Sequence, residues 1–368
     1  MVIGVDGNEA NVQNPVGVSV YSRALLTGFQ QKATEQLQFE IYLKSAPLND
    51  LPPANEFFRY IVVVPSLLWS RVALPFYLAT HPKPDVLFCP AHYSPPFHSI
   101  PLVVTIHDLA YKQFPTEFNA DDLYKLERWT EQSIRSAKKI IAVSHHTKDD
   151  LTTYYPEIAP KVTTVYNGFT QPTTSAKSAV SEQFDVTKNK YILCVATFQP
   201  RKNVAMLVEA FERFHAQHPD FKLLLIGKKG WMYEHIFERI ERSPIRTSII
   251  VWTEPLSRDE LNGCYRDAFA TVLPSLYEGF GLPVLEAFSN NCNVVASSVS
   301  SLPEVGGDAA LYCDPRDPQT VIDQLERLFD ASVRKSLRAQ QKKQLQKFSW
   351  DQCVDQTLTV IQSAAHEH

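Results

Sequence analysis

Glycine is scarce in this chain, at 12 of 368 residues, less than half the ~7% usual in proteins. The residue that tolerates any backbone conformation is used sparingly, so each place that clusters it is informative. Cysteine is as uninstructive as glycine is telling. Six residues (Cys89, Cys194, Cys264, Cys292, Cys313 and Cys353) are scattered without a CxxC pair, which excludes a disulfide framework or a zinc ribbon and reads as buried, reduced thiols. Long apolar runs are missing too. The charge-free stretch Tyr60 to Ser70 contains Pro65 and falls far short of the ~20 residues that span a bilayer. The amino terminus, MVIGVDGNEA, carries Asp6 and Glu9 where a secretory signal needs a basic stretch and then an apolar run. Nor is there an excess of either charge: 36 Lys and Arg face 40 Asp and Glu, a net of −4, so the basic footprint of a nucleic-acid binder is absent. With 44% hydrophobic and 21% charged residues the composition is that of a globular protein. A soluble, cytoplasmic chain of two or three domains is expected, at roughly 100–200 residues per domain.

What is present is an alternation of short apolar runs with longer amphipathic ones. Strands are expected at Val2–Val5, Phe39–Leu43, Tyr60–Val64, Asp85–Phe88, Leu102–Ile106, Ile140–Val143 and Val162–Val165, then at Tyr191–Ala196, Lys222–Ile226, Ser248–Val251, Ala270–Leu273, Asn293–Ala296 and Ala310–Tyr312. Helices are expected between them, at Val18–Gln30, Ala120–Ala137, Asn203–His215, Met232–Arg242, Arg258–Ala268 and Val284–Asn290. Near-continuous apolar strands alternating with helices imply a parallel sheet covered on both faces. The polar, Thr- and Ser-rich segment 170–190 reads as a linker. The expected organisation is α/β: a Rossmann-like domain over 1–169, a second over 191–348, and a terminal helix over 349–368 that packs back on the first domain. Ligands of such sheets bind at the carboxyl ends of the strands. Gly17, His107–Asp108 and Ser144 stand there in the first half, and Arg201–Lys202, Gly227 and Glu278–Gly281 in the second.

The densest signal is PSLYEGFGLPVLEAF, Pro274 to Phe288. A strand ends, Gly279 and Gly281 permit close backbone approach, and Pro283 suits a first helical turn. The free amides of that turn can hold a phosphate or a sugar hydroxyl. Glu278 and Glu286, seven residues between them, can each accept hydrogen bonds from vicinal hydroxyls. The alternative is a plain strand–turn–helix with one surface Glu and one at a helix start. Arg201 and Lys202 precede a helix, where cations are unfavourable unless something anionic is bound. His107 could be structural, Asp108 could cap a turn, and Ser144 could be an ordinary N-cap.

The segment EGFGLPVLE resembles the Glu-x7-Glu signature of the retaining nucleotide-sugar glycosyltransferases of family 4, which have the GT-B fold. NPVGVSVYSRALL, VVTIHDLAY, IIAVSHHTKDDL, VTTVYNGF, LCVATFQPRKN, LLLIGKKGW and LPEVGGDAALYCDP also resemble family segments, in family order, over roughly Ile3 to Phe348. The resemblance implies two Rossmann-like domains facing each other across a cleft. It implies that Glu278 contacts donor-sugar hydroxyls, that the amides of Phe280, Gly281 and Leu282 meet sugar and diphosphate, and that Glu286 holds the ribose. Arg201 and Lys202 would neutralise the diphosphate, His107 would sit over the sugar, and Gly17, Gly227 and Ser144 would complete the donor site. Two departures stand out. The family's glycine loop usually has a second glycine, where this chain has Val16–Gly17–Val18–Ser19. Many members carry an Arg shortly before the Lys, where this chain has Ala196, Thr197 and Phe198.

No Asp-x-Asp occurs, the device by which transferases of the other major fold hold a metal, so no metal and no cofactor are expected, the nucleotide sugar being a substrate. The expected reaction moves a sugar from a GDP- or UDP-sugar to a hydroxyl of a glycan or lipid-linked acceptor in polysaccharide biosynthesis. Rival readings are a GT-B epimerase or phosphorylase, a two-lobed sugar-binding protein, and a nicotinamide-dependent oxidoreductase, which would need a GxGxxG that no strand here leads into. The apolar stretch Leu67–Ala79 is open between a core helix interrupted near Pro75 and a patch that meets a lipid-linked acceptor at the inner membrane face.

Overall fold

The computed structural model describes residues 1–15, 17–96, 99–172 and 183–366. The chain divides into two compact units, Met1–Gly168 with Phe348–His368, and Phe169–Lys347. Residues 173–182, the middle of the expected linker, lie outside the described residues.

The first unit carries β1 (Val2–Asp6), β2 (Gln38–Leu43), β3 (Phe58–Val62), β4 (Val86–Cys89), β5 (Leu102–Ile106), β6 (Lys139–Ala142) and β7 (Val162–Thr164). They form one sheet in the order β3-β2-β1-β4-β5-β6-β7, parallel at every junction. Every residue of β4 and β5 is buried, because side chains alternate between two covered faces. Val103 joins the cluster beneath the helix Val18–Lys32 and the terminal helix Trp350–His366. Its neighbours Leu102 and Val104 join the opposite cluster, with Trp69, Leu74 and Ile134. Phe29 stacks on Phe39 at 5.0 Å between centroids. Each such fully buried side chain contributes about 1.5–3 kcal/mol.

The second unit carries β8 (Tyr191–Val195), β9 (Lys222–Ile226), β10 (Ile249–Trp252), β11 (Ala270–Leu273), β12 (Val294–Ser297) and β13 (Leu311–Cys313). Their order is β10-β9-β8-β11-β12-β13, again all parallel. Helix starts are set by local chemistry. Ser257 accepts from the Glu260 amide at 3.2 Å while the Glu260 carboxylate accepts from the Ser257 amide at 2.7 Å, a reciprocal cap for Arg258–Asp267 that satisfies two otherwise orphaned donors. Asn119 caps Ala120–Ser136 by accepting from Asp122.

The structure departs from the sequence reading in small ways with local causes. The helix expected from Met232 begins at Glu234, because Met232 sits at φ 55°, outside helical space. β3 runs Phe58–Val62 rather than Tyr60–Val64, in register with Phe39–Leu43 of β2. Near Pro75 the expected interruption takes the form of a change in helix type: a π-helical turn, Trp69–Ala73, gives way to the α-helix Leu74–Thr80, and Pro75 falls in the first turn of the latter.

In each sheet the strand order reverses once, between β1 and β4 and between β8 and β11. At those points connections leave to opposite sides and open a crevice at the carboxyl edge.

Candidate active site

The second unit's crevice is built by two loops. After β8 the chain makes a single 3-10 turn, Pro200–Lys202, closed by Asn203 at φ 57°. Asn203 Nδ2 donates to the carbonyls of Pro274 (3.1 Å) and Pro315 (2.6 Å), and the Leu276 amide donates to the Arg201 carbonyl at 2.8 Å. These bonds tie the loop after β8 to the loop after β11, so Arg201 and Lys202 are held against Glu278. Lys202 Nζ donates to both Glu278 oxygens, at 2.6 and 2.7 Å, and Ser275 Oγ donates to Oε1 at 2.8 Å. Arg201 Nη1 donates to the Tyr277 carbonyl at 3.1 Å and lies 3.8 Å from Glu278 Oε2. Burial alone would raise the Glu278 carboxyl, but Lys202 and Arg201 outweigh it and hold the group below its ordinary range. The cluster therefore carries two cations and one anion, a net positive crevice.

The backbone around Glu278 is fixed as firmly. Its amide donates to Ser300 Oγ at 3.0 Å, and Ser301 Oγ shares its hydrogen between the carbonyls of Glu278 (2.9 Å) and Phe280 (2.8 Å). Gly281, at φ 107°, heads the helix Leu282–Ser289; Pro283 has no amide hydrogen and the Val284 amide donates to the Gly281 carbonyl at 3.0 Å, which leaves the Leu282 amide without an intrahelical acceptor. Glu286 lies within that helix, away from the Lys202 pair. It is half-buried and accepts from the Tyr265 hydroxyl at 2.9 Å, and burial raises its carboxyl above the ordinary range. Gly227, just beyond β9, is required by space: a Cβ there would stand 1.8 Å from the Ala196 carbonyl oxygen.

In the first unit Gly17 forms the N-cap of Val18–Lys32 with φ 52° and ψ −112°, a conformation that side chains with a Cβ avoid. Nothing lies within 4 Å of where its Cβ would be, so conformation and not crowding selects glycine there. His107 follows β5 and is buried. Its Nε2 donates to the Pro90 carbonyl at 2.8 Å, its ring meets Tyr21 edge-on at 4.9 Å, and His92 lies 5.8 Å away. Burial and then His92 push the imidazole down to about 4. It is neutral at physiological pH, with Nε2 protonated and Nδ1 left as an acceptor.

Ser144 takes the capping alternative. It is wholly buried, accepts from the Thr147 amide at 3.0 Å and donates to Thr147 Oγ1 at 3.0 Å, and Thr147 in turn donates to the His107 carbonyl at 3.3 Å. Ser144 thus supports the His107 loop from behind. Asp108 accepts from the Ala110 amide at 3.1 Å. Residues that sequence reasoning passed over are the supports: Ser275, Ser300 and Ser301 around Glu278, Asn203 beside the cations, Tyr265 on Glu286 and His92 beside His107. Ser275 stands close before the glycine loop in sequence, whereas Ser300 and Ser301 reach Glu278 from beyond β12. Tyr265, from a separate helix, carried no sequence signal.

Comparisons with known proteins bear on the family and the fold. Residues 17–170 match the model of glycosyltransferase family 4, and residues 177–348 match that of the glycosyl transferases group 1. O-antigen chain mannosyltransferase B of Escherichia coli is 32% identical over 262 residues, covering 70% of this chain and 68% of that protein. O-antigen chain mannosyltransferase RfbU of Salmonella typhimurium is 26% identical over 255 residues, 67% of each. Among solved structures, sucrose-phosphate synthase of Thermosynechococcus elongatus superposes with a TM-score of 0.77 at 17% identity over 98% of both chains. WaaG, a glycosyltransferase involved in lipopolysaccharide biosynthesis, gives 0.73 at 13% identity over 98% of this chain and 99% of its own. Two parallel Rossmann-like units and these neighbours define the fold as GT-B. The chain belongs to the group 1 glycosyltransferases.

Proposed function

We propose that this glycosyltransferase moves a hexosyl residue, mannosyl by analogy with its O-antigen relatives, from a GDP- or UDP-sugar to a hydroxyl of a glycan or lipid-linked acceptor, with retention of configuration and without a metal. The observation that carries this reading is the Arg201–Lys202–Glu278 cluster at the switch point of the second sheet. As the glycosidic C–O bond breaks, its electron pair passes to the β-phosphate oxygen. Arg201, Lys202 and the Leu282 amide meet that growing charge, the work a metal ion does elsewhere. Lys202 is already oriented by Glu278, so little reorganisation accompanies the step. The Glu278 carboxylate, held ionised, accepts from sugar hydroxyls, and Glu286 accepts from the ribose. His107, neutral, offers Nδ1 to a sugar hydroxyl. The acceptor oxygen bonds the anomeric carbon on the face that the phosphate leaves, and its proton passes to the departing phosphate oxygen. No enzymic nucleophile is needed.

The test is a thermal-shift panel with UDP, GDP, ADP, TDP and NAD, each with and without EDTA. A ligand at 100 times its Kd adds about 2.7 kcal/mol of stability. One nucleoside diphosphate is expected to stand out, unchanged by EDTA. A shift with NAD alone, or with none of the five, overturns the reading.

A further inference from the structure

Tyr21 lies one turn past Gly17 on the helix Val18–Lys32 and is wholly buried. A buried tyrosine can simply fill a core, and Tyr21 does belong to the cluster beneath the terminal helix. Its polar groups and its ring, however, all reach the edge of the sheet where His107 stands. Its amide donates to the Gly17 carbonyl at 3.1 Å, the first bond of the helix, which ties the glycine loop to it. Its hydroxyl shares a hydrogen bond of 3.0 Å with Thr105 Oγ1. Its ring centroid lies 4.9 Å from that of His107 with the planes at 84°, an arrangement that aromatic pairs favour. Thr105 and His107 are two positions apart at the end of β5, so their side chains leave on one face, and Tyr21 clasps both. Only β4 separates β1 from β5. Tyr21 therefore spans the point where the strand order reverses and joins Gly17, beyond β1, to His107, beyond β5.

His107 needs such a strut. Its one hydrogen bond, from Nε2 to the Pro90 carbonyl at 2.8 Å, leaves the imidazole free to rock about that contact. Among the described residues Nδ1 has no hydrogen-bond partner, so the direction it faces is set by what packs on the ring. The rings that do so are Tyr21 and His92, the latter at 5.8 Å and 68°. Tyr21 in turn is backed by Trp350 of the terminal helix, 6.4 Å from its ring, and close-packed interiors yield little.

We propose that Tyr21 is a positioning residue for sugar transfer: its ring aims His107 Nδ1 at the sugar and holds that nitrogen at a set distance from the glycine loop. The proposal rests on the reading of His107 as a sugar contact given above.

The experiment compares the native chain with Tyr21→Leu, Tyr21→Phe and His107→Ala. Turnover is read as nucleoside diphosphate released from GDP-mannose and from UDP-glucose, well below each variant's melt, which loss of a buried ring lowers. Tyr21→Leu should reduce kcat at least ~10-fold with the donor KM within ~3-fold of native, because a group displaced by a fraction of an ångström still allows binding. Tyr21→Phe, which keeps the ring, should recover kcat to within ~3-fold of native. Nitrogen NMR of the His107 imidazole gives a readout that stability alone does not move: a single tautomer with the proton on Nε2 in the native chain and in Tyr21→Phe, and a mixture of tautomers in Tyr21→Leu. All variants should keep the native nucleoside-diphosphate shift in the melt, since the donor cluster lies in the other unit. Native turnover in His107→Ala overturns the role of His107 and this proposal with it. Loss in His107→Ala beside native kcat or a single tautomer in Tyr21→Leu, or equal losses in Tyr21→Leu and Tyr21→Phe, overturns this proposal alone.

Discussion

Removing the Lys202 cation while keeping its stem, as in Lys202→Met, should destabilise the second unit well beyond a surface ion pair. Glu278 accepts two bonds from Lys202 at 2.6 and 2.7 Å, and the two side chains are 13% and 11% exposed, so water cannot replace the lost partner. Breaking a buried pair from one side costs about 3–5 kcal/mol. Ser275 at 2.8 Å and Arg201 at 3.8 Å remain on the carboxylate, which places the expected loss near the lower end, about 3 kcal/mol. At roughly 2–4 °C per kcal/mol for a unit of this size, the melt should fall by about 6–12 °C. Glu278→Gln should cost a similar amount by leaving two cations side by side. The double variant should lie closer to the native protein than either single one, because no uncompensated charge is left. Differential scanning calorimetry on the four proteins measures the cycle. Single losses under ~2 °C, or losses that simply add in the double variant, would refute the claim that this pair organises the crevice.

Three further outcomes follow from individual groups. Gly227→Ala should cost ~3 kcal/mol or more, since its Cβ overlaps the Ala196 carbonyl, whereas Gly17→Ala, which meets only conformational strain, should cost ~1–3 kcal/mol; urea titration ranks them. Acidification should expose two opposed groups in the first unit. His107, lowered to about 4, lends stability above its unfolded value that is lost as pH falls from about 6.5 to about 4. Asp6, raised to about 6 chiefly by burial, does the reverse, its contribution present below about 4 and lost as pH rises through 6. Relative to the native chain, Asp6→Asn should therefore lose stability between pH 6 and 4, and His107→Gln should gain it, each by up to roughly 3 kcal/mol; parallel slopes in all three would contradict the assignment. Finally, Tyr265→Phe removes the hydroxyl bond that opposes the rise of the Glu286 carboxyl. The acid limb of donor binding should move to higher pH, read from nucleoside-diphosphate affinity across pH 4–7.

Each of the thirteen strands among the described residues has its counterpart in the sequence reading because parallel strands buried on both faces, such as LVVTI at Leu102–Ile106, are short apolar runs that stand out against amphipathic helices. What shifted was local. Met232 left the helix through its own backbone angle, and β3 began two residues earlier, in register with β2, outcomes decided by how neighbouring elements pack. At the candidate site, the placement of one motif was legible: Glu278 and Gly281 stand ahead of the helix Leu282–Ser289 and Glu286 within it. The Lys202–Glu278 contact was not, because its partners lie 76 positions apart and meet only after β8 and β11 become neighbours. Ser144 shows the opposite limit. Its hydroxyl accepts from the Thr147 amide and donates to Thr147 Oγ1 beyond β6, a capping role that only the fold reveals.

The central claim is tested most directly by a transfer assay in EDTA, using the sugar of the nucleotide that the thermal-shift panel selects and a polysaccharide acceptor, with the anomeric configuration of the product read by NMR. The account predicts a product of the same configuration as the donor, turnover unchanged by EDTA, and a loss of at least ~10²-fold in Lys202→Met. An inverted product, or activity that EDTA abolishes and added metal restores, would contradict it.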